Sequence, residues 1–244
     1  MSISRKLTWH GHANFQLRWK SGDERVNIFI DPFFTGNPKA VKKPDEIRPP
    51  DIVCVTHLHG DHVGDAVAIC KKSGATLVTA VGMGEALIAQ GVPADQVANG
   101  HGFNIGGSVT VKGVTVTMTQ AFHTIDGVAP VGYIITLPDG YTVYHAGDTG
   151  IFASMQTLGE LYDIDLALLP AGGVYTMDIK QAAYAAKLLK AKAVVPMHWG
   201  TFPALAQTME TFPAALAKRA GCRCILMQPG DKVQLGRDGE DEDE

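Results

Sequence analysis

The segment 56–62, Thr-His-Leu-His-Gly-Asp-His, constrains this chain more than any other. It follows the apolar run 52–55 directly and carries four potential metal ligands, His57, His59, Asp61 and His62. A strand that ends at Thr56 would direct the first two histidines to one side, and a turn at Gly60 would bring the other two ligands to a second position nearby. Because imidazole is the commonest transition-metal ligand in proteins, this density predicts two adjacent metal positions rather than a solvated loop.

The composition is that of an ordinary globular protein. The chain has 244 residues, 45% apolar and 19% charged, which is enough to bury a large core. Its net charge is −4, but six acids lie within 238–244, so residues 1–237 carry 21 basic and 19 acidic groups. We expect a single domain over 1–237 and a disordered acidic tail over 238–244. A nearly neutral body argues against a nucleic-acid partner, which needs a basic surface.

Nothing in the sequence predicts export or membrane insertion. The chain begins Met-Ser-Ile-Ser-Arg-Lys and then alternates polar and apolar residues, without the apolar block of a leader or a membrane span. We therefore expect a cytoplasmic protein with no membrane partner. Four cysteines are too few for a disulfide scaffold. Cys54 reads as a core residue, and Cys222-x-Cys224 lacks the second pair of a soft-metal site.

Strands and helices are predicted to alternate, which is typical of an α/β fold. Apolar, β-branched runs predict strands at 26–30, 52–55, 75–79, 109–118, 132–136, 142–145, 165–169 and 193–197. Helical patterns occur at 65–72, 84–90, 152–161, 179–190 and 205–218, the last of them broken at Pro213. Asp178 is predicted to cap the helix 179–190. The long irregular segment 35–50 is a candidate for substrate contact.

Further ligands are expected downstream, because one segment cannot complete two coordination shells. His123, Asp148 and His198 each follow a separate apolar run. Gly147 precedes the aspartate and would let the backbone turn closely and aim the carboxylate. In open α/β folds, ligands collect beyond the carboxyl ends of strands, so these three side chains are predicted to join the segment 56–62.

The order of these ligands resembles the metallo-β-lactamase superfamily. The similarity runs from Trp9 to about Leu235. Finer motifs resemble small metal-dependent hydrolases near ascorbate-6-phosphate lactonase, and these motifs are Gly11-His12-Ala13, Asp31-Pro32-Phe33, Thr35-Gly36-Asn37-Pro38 and His145-Ala146-Gly147-Asp148-Thr149. The resemblance implies a four-layer αββα sandwich with a two-metal site at one edge.

The resemblance also implies a role for each ligand. His57, His59 and His123 would hold a first metal, and Asp61, His62 and His198 a second. Asp148 would bridge both, so that Asp61 and Asp148 are the catalytic carboxylates. Mixed imidazole and carboxylate ligands suit two divalent ions, zinc foremost, although manganese, iron and nickel fit as well.

Such a site predicts hydrolysis by a metal-bridging hydroxide on a small ester, lactone or phosphodiester. We therefore expect a small-molecule substrate, and a homo-oligomer, since similar proteins commonly self-associate. Two alternatives stay open. One is a mononuclear iron dioxygenase that uses His57, His59 and either Asp148 or His123, and the other is a metal-stabilised binding module without turnover.

The remaining histidines are weighed separately. His12, placed with His10 on the first strand, could support the ligands or contact substrate. His145 could support Asp148 from behind or be a core residue with satisfied hydrogen bonds. His101 is predicted to lie in an exposed turn, and Trp199 is interpreted as a packing residue.

Overall fold

Two mixed β-sheets pack face to face in the computed structural model, which describes residues 2–236. The first sheet has the order β13-β1-β2-β3-β4-β5, with the strands β1 Ile3–Trp9, β2 Phe15–Ser21, β3 Glu24–Ile30, β4 Ile52–Cys54, β5 Thr76–Val78 and β13 Lys232–Gln234. The second has the order β12-β11-β10-β9-β8-β7-β6, with β6 Ser108–Val111, β7 Val114–Gln120, β8 Val131–Thr136, β9 Thr142–His145, β10 Leu166–Pro170, β11 Ala193–Met197 and β12 Arg223–Cys224.

The helices lie outside the two sheets. They are α1 Gly60–Val63, α2 Ala66–Ser73, α3 Met83–Ala89, α4 Met155–Leu161, α5 Ile179–Leu188 and α6 Phe212–Arg219. Apolar side chains of α2 and α3 pack on the outer face of β3–β5, whereas α5 and α6 contact β10 and β12. This arrangement confirms the predicted αββα sandwich.

Strand direction places several strand ends at one edge. Strands β3, β4 and β5 run parallel, as do β9, β10 and β11, so their carboxyl ends lie together. Strands β4, β10 and β11 are buried along their whole length, which explains why their sequences read as continuous apolar runs. The loops that follow these strands are therefore attached to rigid elements.

Side chains on the inner faces tie the two sheets to each other. The Tyr133 hydroxyl on β8 donates to the Val55 carbonyl at the end of β4 over 2.6 Å. At the far end of the sandwich, Asp139 in the β8–β9 turn accepts from Arg5 Nε and from Trp19 Nε1, each at 2.7 Å. A buried carboxylate between two donors from the opposite sheet fixes how the sheets stack.

Two predicted elements differ from the structure. The strand predicted over 109–118 is a hairpin, in which Val111 pairs with Val114. Both turn residues, Lys112 and Gly113, have positive φ (49° and 77°), as a two-residue type I′ turn requires. The helix predicted from 205 begins only at Phe212, because Pro213 fits the first turn of a helix and not its interior.

Other predicted elements are confirmed with shifted ends. Helix α4 begins three residues later than predicted, and α5 ends two residues earlier than predicted. The predicted cap is present, since Asp178 Oδ1 accepts from the Gln181 amide at 2.8 Å. The first strand ends at Trp9, so it does not carry His10 and His12 as expected.

Two predictions from the sequence concern residues that the structure describes only in part. The acidic tail 238–244 falls outside the described residues, and the domain bounds 1–237 stay a prediction. Within residues 2–236, none of the helices combines the length and the apolar composition needed to cross a bilayer.

Candidate metal centre

All seven predicted ligands come together at the edge formed by the carboxyl ends of the strands. Four of them leave β4 through the loop 56–59 and the short helix α1. The other three follow β7, β9 and β11, and they are His123, Asp148 and His198. Their donor atoms form groups in which all atoms lie within 4.8 Å of one another.

Three histidines form the first group. His59 Nδ1 lies 3.0 Å from His57 Nε2 and 3.3 Å from His123 Nε2. Burial lowers the pKa of His57 to about 2 and also lowers the pKa of His123, so both imidazoles are neutral at pH 7. Neutral imidazoles are the form that binds a metal ion.

Hydrogen bonds fix the tautomer of His57. The Thr56 hydroxyl donates to Asp31 Oδ2 at 2.7 Å, so it can accept from His57 Nδ1–H, which lies 3.0 Å away. The proton on Nδ1 leaves Nε2 with a free lone pair that faces the other two histidines. This assignment gives the first group an acceptor atom suited to a cation.

The second group surrounds Asp148 on its other side. It consists of Asp61, His62 and His198, together with His12. Asp148 Oδ2 lies 3.0 Å from His198 Nε2, 3.3 Å from His62 Nε2 and 3.8 Å from His123 Nε2. The carboxylate therefore reaches both groups.

Several buried donor atoms here lack a hydrogen bond. Within the described part of the chain, they include His62 Nε2, His198 Nε2 and Asp148 Oδ1. Burial alone would raise the pKa of Asp148, but His62 and His198 outweigh it and hold this pKa well below its ordinary value. A buried carboxylate ringed by imidazole nitrogens that lack hydrogen-bond partners fits divalent metal ions, which bind once the imidazoles have lost their extra protons.

Asp31 belongs to a motif that carries the resemblance, but the sequence did not predict its place behind the ligands. It accepts from the Thr56 amide at 2.8 Å and from His62 Nδ1 at 2.8 Å, besides the Thr56 hydroxyl. Burial alone would lower the pKa of His62, but Asp148 and Asp31 together raise it well above its ordinary value. The available signal was its position, because Asp31 follows an apolar run just as the ligands do.

His12 contacts a predicted ligand from the turn between β1 and β2. Its Nε2 lies 3.1 Å from Asp61 Oδ2, and its Nδ1 lies 3.0 Å from Thr201 Oγ1. Burial lowers the pKa of His12 to about 4, so the ring is neutral at pH 7. A neutral ring beside a carboxylate carries its proton on Nε2, and Nδ1 then accepts from the Thr201 hydroxyl. His12 is thus placed to orient Asp61, and its contact with substrate stays a prediction.

The backbone is strained at three of these positions. His12, Asp31 and His198 have φ of 59°, 46° and 58°, a region that residues with a Cβ seldom adopt. The His198 amide donates to the His12 carbonyl at 3.0 Å, which locks two of these turns together. Such conformations persist only where the surroundings enforce them, as at binding and catalytic sites.

His145 supports the loop that carries Asp148. Its Nε2 donates to the Ala13 carbonyl and its Nδ1 accepts from the Gly147 amide, both at 3.1 Å. Gly147 has φ of 62°, and a Cβ there would lie 2.5 Å from the Val131 carbonyl oxygen. His145 therefore acts on the backbone beside Asp148 and is itself a buried, hydrogen-bonded residue.

Other residues that the sequence singled out lie outside the cluster. His10 is buried against Phe29 and Phe34, with ring centroids 5.6 and 5.1 Å away. His101 lies in an exposed turn, as predicted. Trp199 packs against Trp9 with its centroid at 5.3 Å, which confirms the packing interpretation. Among the described residues, no cysteine joins a metal-binding group.

Exposed apolar side chains flank the cluster. Phe122, which precedes His123, is 61% exposed, and Val174 and Tyr175 are 73% and 59% exposed. Backbone hydrogen bonds join their segments to the residues after Asp148, because Gly150 donates to the Phe122 carbonyl and Met177 to the Thr149 carbonyl. The two segments therefore form an apolar rim beside the candidate metal centre.

The segment 35–50 approaches this edge at one point. Lys39 lies against Gly11 and Gly200, which neighbour His12 and His198 in the sequence. Asp65 anchors the start of the segment by accepting from the amides of Phe34 and Thr35. Contact between the segment 35–50 and substrate stays a prediction.

Comparisons with known proteins place these observations in a family. Residues 26–199 match the family described as Beta-lactamase superfamily domain. The chain is 55% identical over 236 residues to a UPF0173 metal-dependent hydrolase of Nitratidesulfovibrio vulgaris, covering 96% of this chain and 97% of that one. It is 52% identical over 230 residues to a UPF0173 metal-dependent hydrolase of Lawsonia intracellularis, covering 94% and 98%.

A solved structure with high similarity is Igni18, a metallo hydrolase from the hyperthermophilic archaeon Ignicoccus hospitalis. Its TM-score is 0.85 at 37% identity, and the alignment covers 96% of this chain and 99% of that one. The shared sandwich extends over nearly the whole length of both proteins.

Proposed function

This chain belongs to the metallo-β-lactamase superfamily, and from that premise we propose that it is a metal-dependent hydrolase that uses two divalent ions to cleave a small ester, lactone or phosphodiester. One observation carries the proposal more than any other. Asp148 Oδ2 lies within 3.0–3.8 Å of histidines from both donor groups. A carboxylate in that position can serve two ions at once.

The ligand assignment follows from the two groups. His57, His59 and His123 would hold the first ion, and Asp61, His62 and His198 would hold the second, with Asp148 shared. A pair of divalent ions, when bound, makes a water acidic enough to attack near neutral pH and polarises the bond that breaks. Zinc is the proposed metal, and the same imidazole and carboxylate donors also accept manganese, iron or nickel.

The protein's own contribution is to orient the reacting groups. The Asp61 side chain is 28% exposed, so it faces the opening of the site, whereas Asp148 is buried. The hydrogen bond from His12 fixes one Asp61 oxygen and leaves the other for a ligand or a reacting water. Burial alone would raise the pKa of Asp61, but this hydrogen bond and the charge of His62 outweigh burial and hold the pKa below its ordinary value, so Asp61 stays ionised at pH 7.

The apolar rim supports a substrate with a small apolar portion. Phe122 and Tyr175 are exposed, and backbone hydrogen bonds join their segments to Gly150 and Thr149, which follow Asp148. Burying such side chains against a ligand is favourable by about 25 cal/mol per Å² of apolar surface. Truncating Tyr175 is accordingly expected to raise KM more than it lowers kcat.

Further sequence expectations enter as proposals. The partner is a small molecule, with neither nucleic acid nor membrane involved, and the protein acts in the cytoplasm as a homo-oligomer. They rest on composition and on the resemblance stated above.

The direct test is hydrolysis by the full chain loaded with zinc or manganese. We expect cleavage of at least one of a panel of nitrophenyl esters, lactones and phosphodiesters, loss of activity with chelator, and recovery on adding metal. Asp148→Ala is expected to be inactive, whereas Asp95→Ala, which removes an exposed carboxylate from the surface, serves as the matched control.

Two outcomes would contradict the proposal. One iron per chain with oxidase activity would favour the mononuclear dioxygenase. Metal-induced thermal stabilisation without any product would favour the binding module.

A further inference from the structure

A second concave site lies on the outer face of the first sheet, away from the candidate metal centre. It has a volume of about 570 Å³ and is lined by six basic side chains, Lys6, Arg18, Lys20, Arg25, Arg48 and Lys112. This volume is in the range of small-molecule sites. We propose that this basic pocket binds a compact, multiply charged anion of the oligophosphate class.

Cross-strand pairing concentrates the charge unfavourably. Lys6 on β1 pairs directly with Arg18 on β2, and Lys20 on β2 pairs directly with Arg25 on β3. Like charges that face each other across antiparallel strands destabilise a sheet. Two such pairs side by side, in a chain whose body is nearly neutral, indicate that an anion offsets the repulsion.

Among the described residues, most of the basic side chains of the pocket form no ion pair. Within residues 2–236, only Lys112 among the six forms an ion pair, and its partner is Asp51. That carboxylate also accepts from the Asn27 amide at 2.8 Å. Arg18 Nε is buried and has no hydrogen-bond partner among the described residues. Guanidinium groups bind phosphate strongly, so Arg18 would be a main contact of an anion in the basic pocket.

Specific hydrogen bonds hold the wall of the basic pocket in place. Asn27 on β3 donates through Nδ2 to the carbonyls of Arg48 and Pro49, both at 3.0 Å, and accepts from Gln16 at 2.7 Å. These bonds hold the end of the segment 35–50 beside the sheet and bring Arg48 to the basic pocket. The concave shape therefore depends on specific buried hydrogen bonds.

The chemistry of the lining selects the class of anion. Three arginines and three lysines favour a ligand with at least three negative charges. Trp19 is the only aromatic residue among those that line the pocket; it is buried, and its Nε1 is bonded to Asp139, so it offers no free stacking face. Single-stranded nucleic acids bind by stacking on aromatic faces, which makes an oligophosphate the better fit.

The basic pocket is distinct from the candidate metal centre. Arg25 is the second residue of β3, whereas Asp31 follows the end of this strand, and six residues of strand span about 20 Å. An anion in the basic pocket would therefore not touch the ligands of the metal centre. The inference stands whether or not the proposed hydrolysis is correct.

The test is calorimetric titration of the metal-loaded full chain with inorganic tripolyphosphate. We expect one saturable site whose affinity falls as salt rises from about 50 to about 200 mM. The double variant Lys20→Gln/Arg25→Gln should bind at least about tenfold more weakly, because two charge-assisted contacts are lost. Lys187→Gln/Lys218→Gln, which removes two exposed lysines from α5 and α6, should stay within about twofold of wild type, since it changes the net charge equally.

Stability separates a binding role from a structural one. Removing one like-charge pair should leave the Tm of the Lys20→Gln/Arg25→Gln protein unchanged or higher, while the affinity falls. A clearly lower Tm would show that these cations stabilise the sheet and would overturn the inference.

Other results would also overturn it. They are the absence of saturable binding to wild type, equal weakening in the control variant, and tighter binding of single-stranded RNA than of tripolyphosphate. Because oligophosphate also binds divalent cations, the titration is repeated on wild-type protein stripped of metal. Binding that is lost in the metal-free wild-type protein, and that the Lys20→Gln/Arg25→Gln change leaves unaltered in the metal-loaded protein, would place the anion at the metal centre instead.

Discussion

At the scale of single residues, Asp148 is the side chain on which both donor groups depend. Replacing Asp148 by Ala should therefore reduce both metals, from about two to well under one per chain. His198→Ala should leave about one, because His198 belongs only to the second group. Elemental analysis of the purified variants measures this difference, and equal metal loss in the two would contradict the bridging assignment.

Asp31 acts through its neighbours rather than as a ligand. Asp31→Asn keeps the shape and tolerates the positive φ of 46°, but it removes the charge that holds His62 Nδ1 and Thr56. We expect metal affinity at the second group to fall about 10- to 100-fold, as for other residues behind metal ligands. Competition with a chromogenic chelator gives the affinity. An unchanged affinity for the second ion would remove Asp31 from the site.

The residues that could be predicted from the sequence share one property. Each is a histidine or an aspartate that follows an apolar run, so its place in the sequence predicts that it lies at the edge where the strands end. Asp31 has the same property, but nothing in the sequence shows that it lies behind His62 rather than among the ligands. Thr201 was not predictable, because its contact with His12 joins residues 189 positions apart through a hydroxyl that carries no sequence signature.

At the scale of elements, the loop between β9 and Asp148 must pass very close to β8. Gly147→Ala places a Cβ 2.5 Å from the Val131 carbonyl oxygen at a φ of 62°. We expect a loss of about 3 kcal/mol in the free energy of unfolding, from the backbone conformation and from the clash together. Metal content should fall as well, since the loop aims Asp148.

Gly74→Ala is the matched control for that change. Gly74 ends α2 with a φ of 72°, but nothing lies within 4 Å of its added Cβ. Only the backbone penalty applies, about 1 kcal/mol, and metal content should not change. Chemical denaturation compares the two variants. Equal destabilisation would show that the close approach of the β9 loop is unimportant.

Element ends were harder to predict than element types. The run 109–118 reads as one long strand by apolar content, yet Gly113 inside it marks the turn of a hairpin. The helix predicted over 205–218 with a break at Pro213 forms only from Phe212, because a proline ring fits the first turn of a helix and not its interior. In both cases a backbone requirement prevailed over hydrophobic periodicity.

At the scale of the whole molecule, the stacking of the two sheets depends on Asp139. Asp139→Asn must set its amide donor either against the Arg5 and Trp19 donors or against the Tyr141 amide, which donates to the other oxygen, and we expect a loss of about 3 kcal/mol at pH 7. Denaturation curves measure it. Asp95→Asn, an exposed carboxylate, should change stability little.

The same carboxylate gives this difference a pH dependence. Burial would raise the pKa of Asp139, but its hydrogen bonds and the charge of Arg5 lower it below the ordinary value. A lowered folded-state pKa stabilises fully above the unfolded pKa, near 3.9, and this stabilisation is lost as the pH falls through the folded pKa. The gap between wild type and Asp139→Asn should therefore shrink below about pH 4. A gap that does not change with pH would contradict this account.

The α/β class could be predicted because strand and helix patterns alternate along the chain, whereas the four-layer sandwich was implied by the resemblance to the metallo-β-lactamase superfamily. The basic pocket could not be predicted from the sequence. It arises where β1, β2 and β3 place like charges in register, and register between strands is set by tertiary pairing that a single sequence does not display.

The most direct measurement is the anomalous scattering of metal-loaded crystals at the metal absorption edge. Two peaks are predicted for each chain, one among His57, His59 and His123 and the other among Asp61, His62 and His198, with Asp148 between them. A single peak, or peaks away from Asp148, would contradict the two-ion centre.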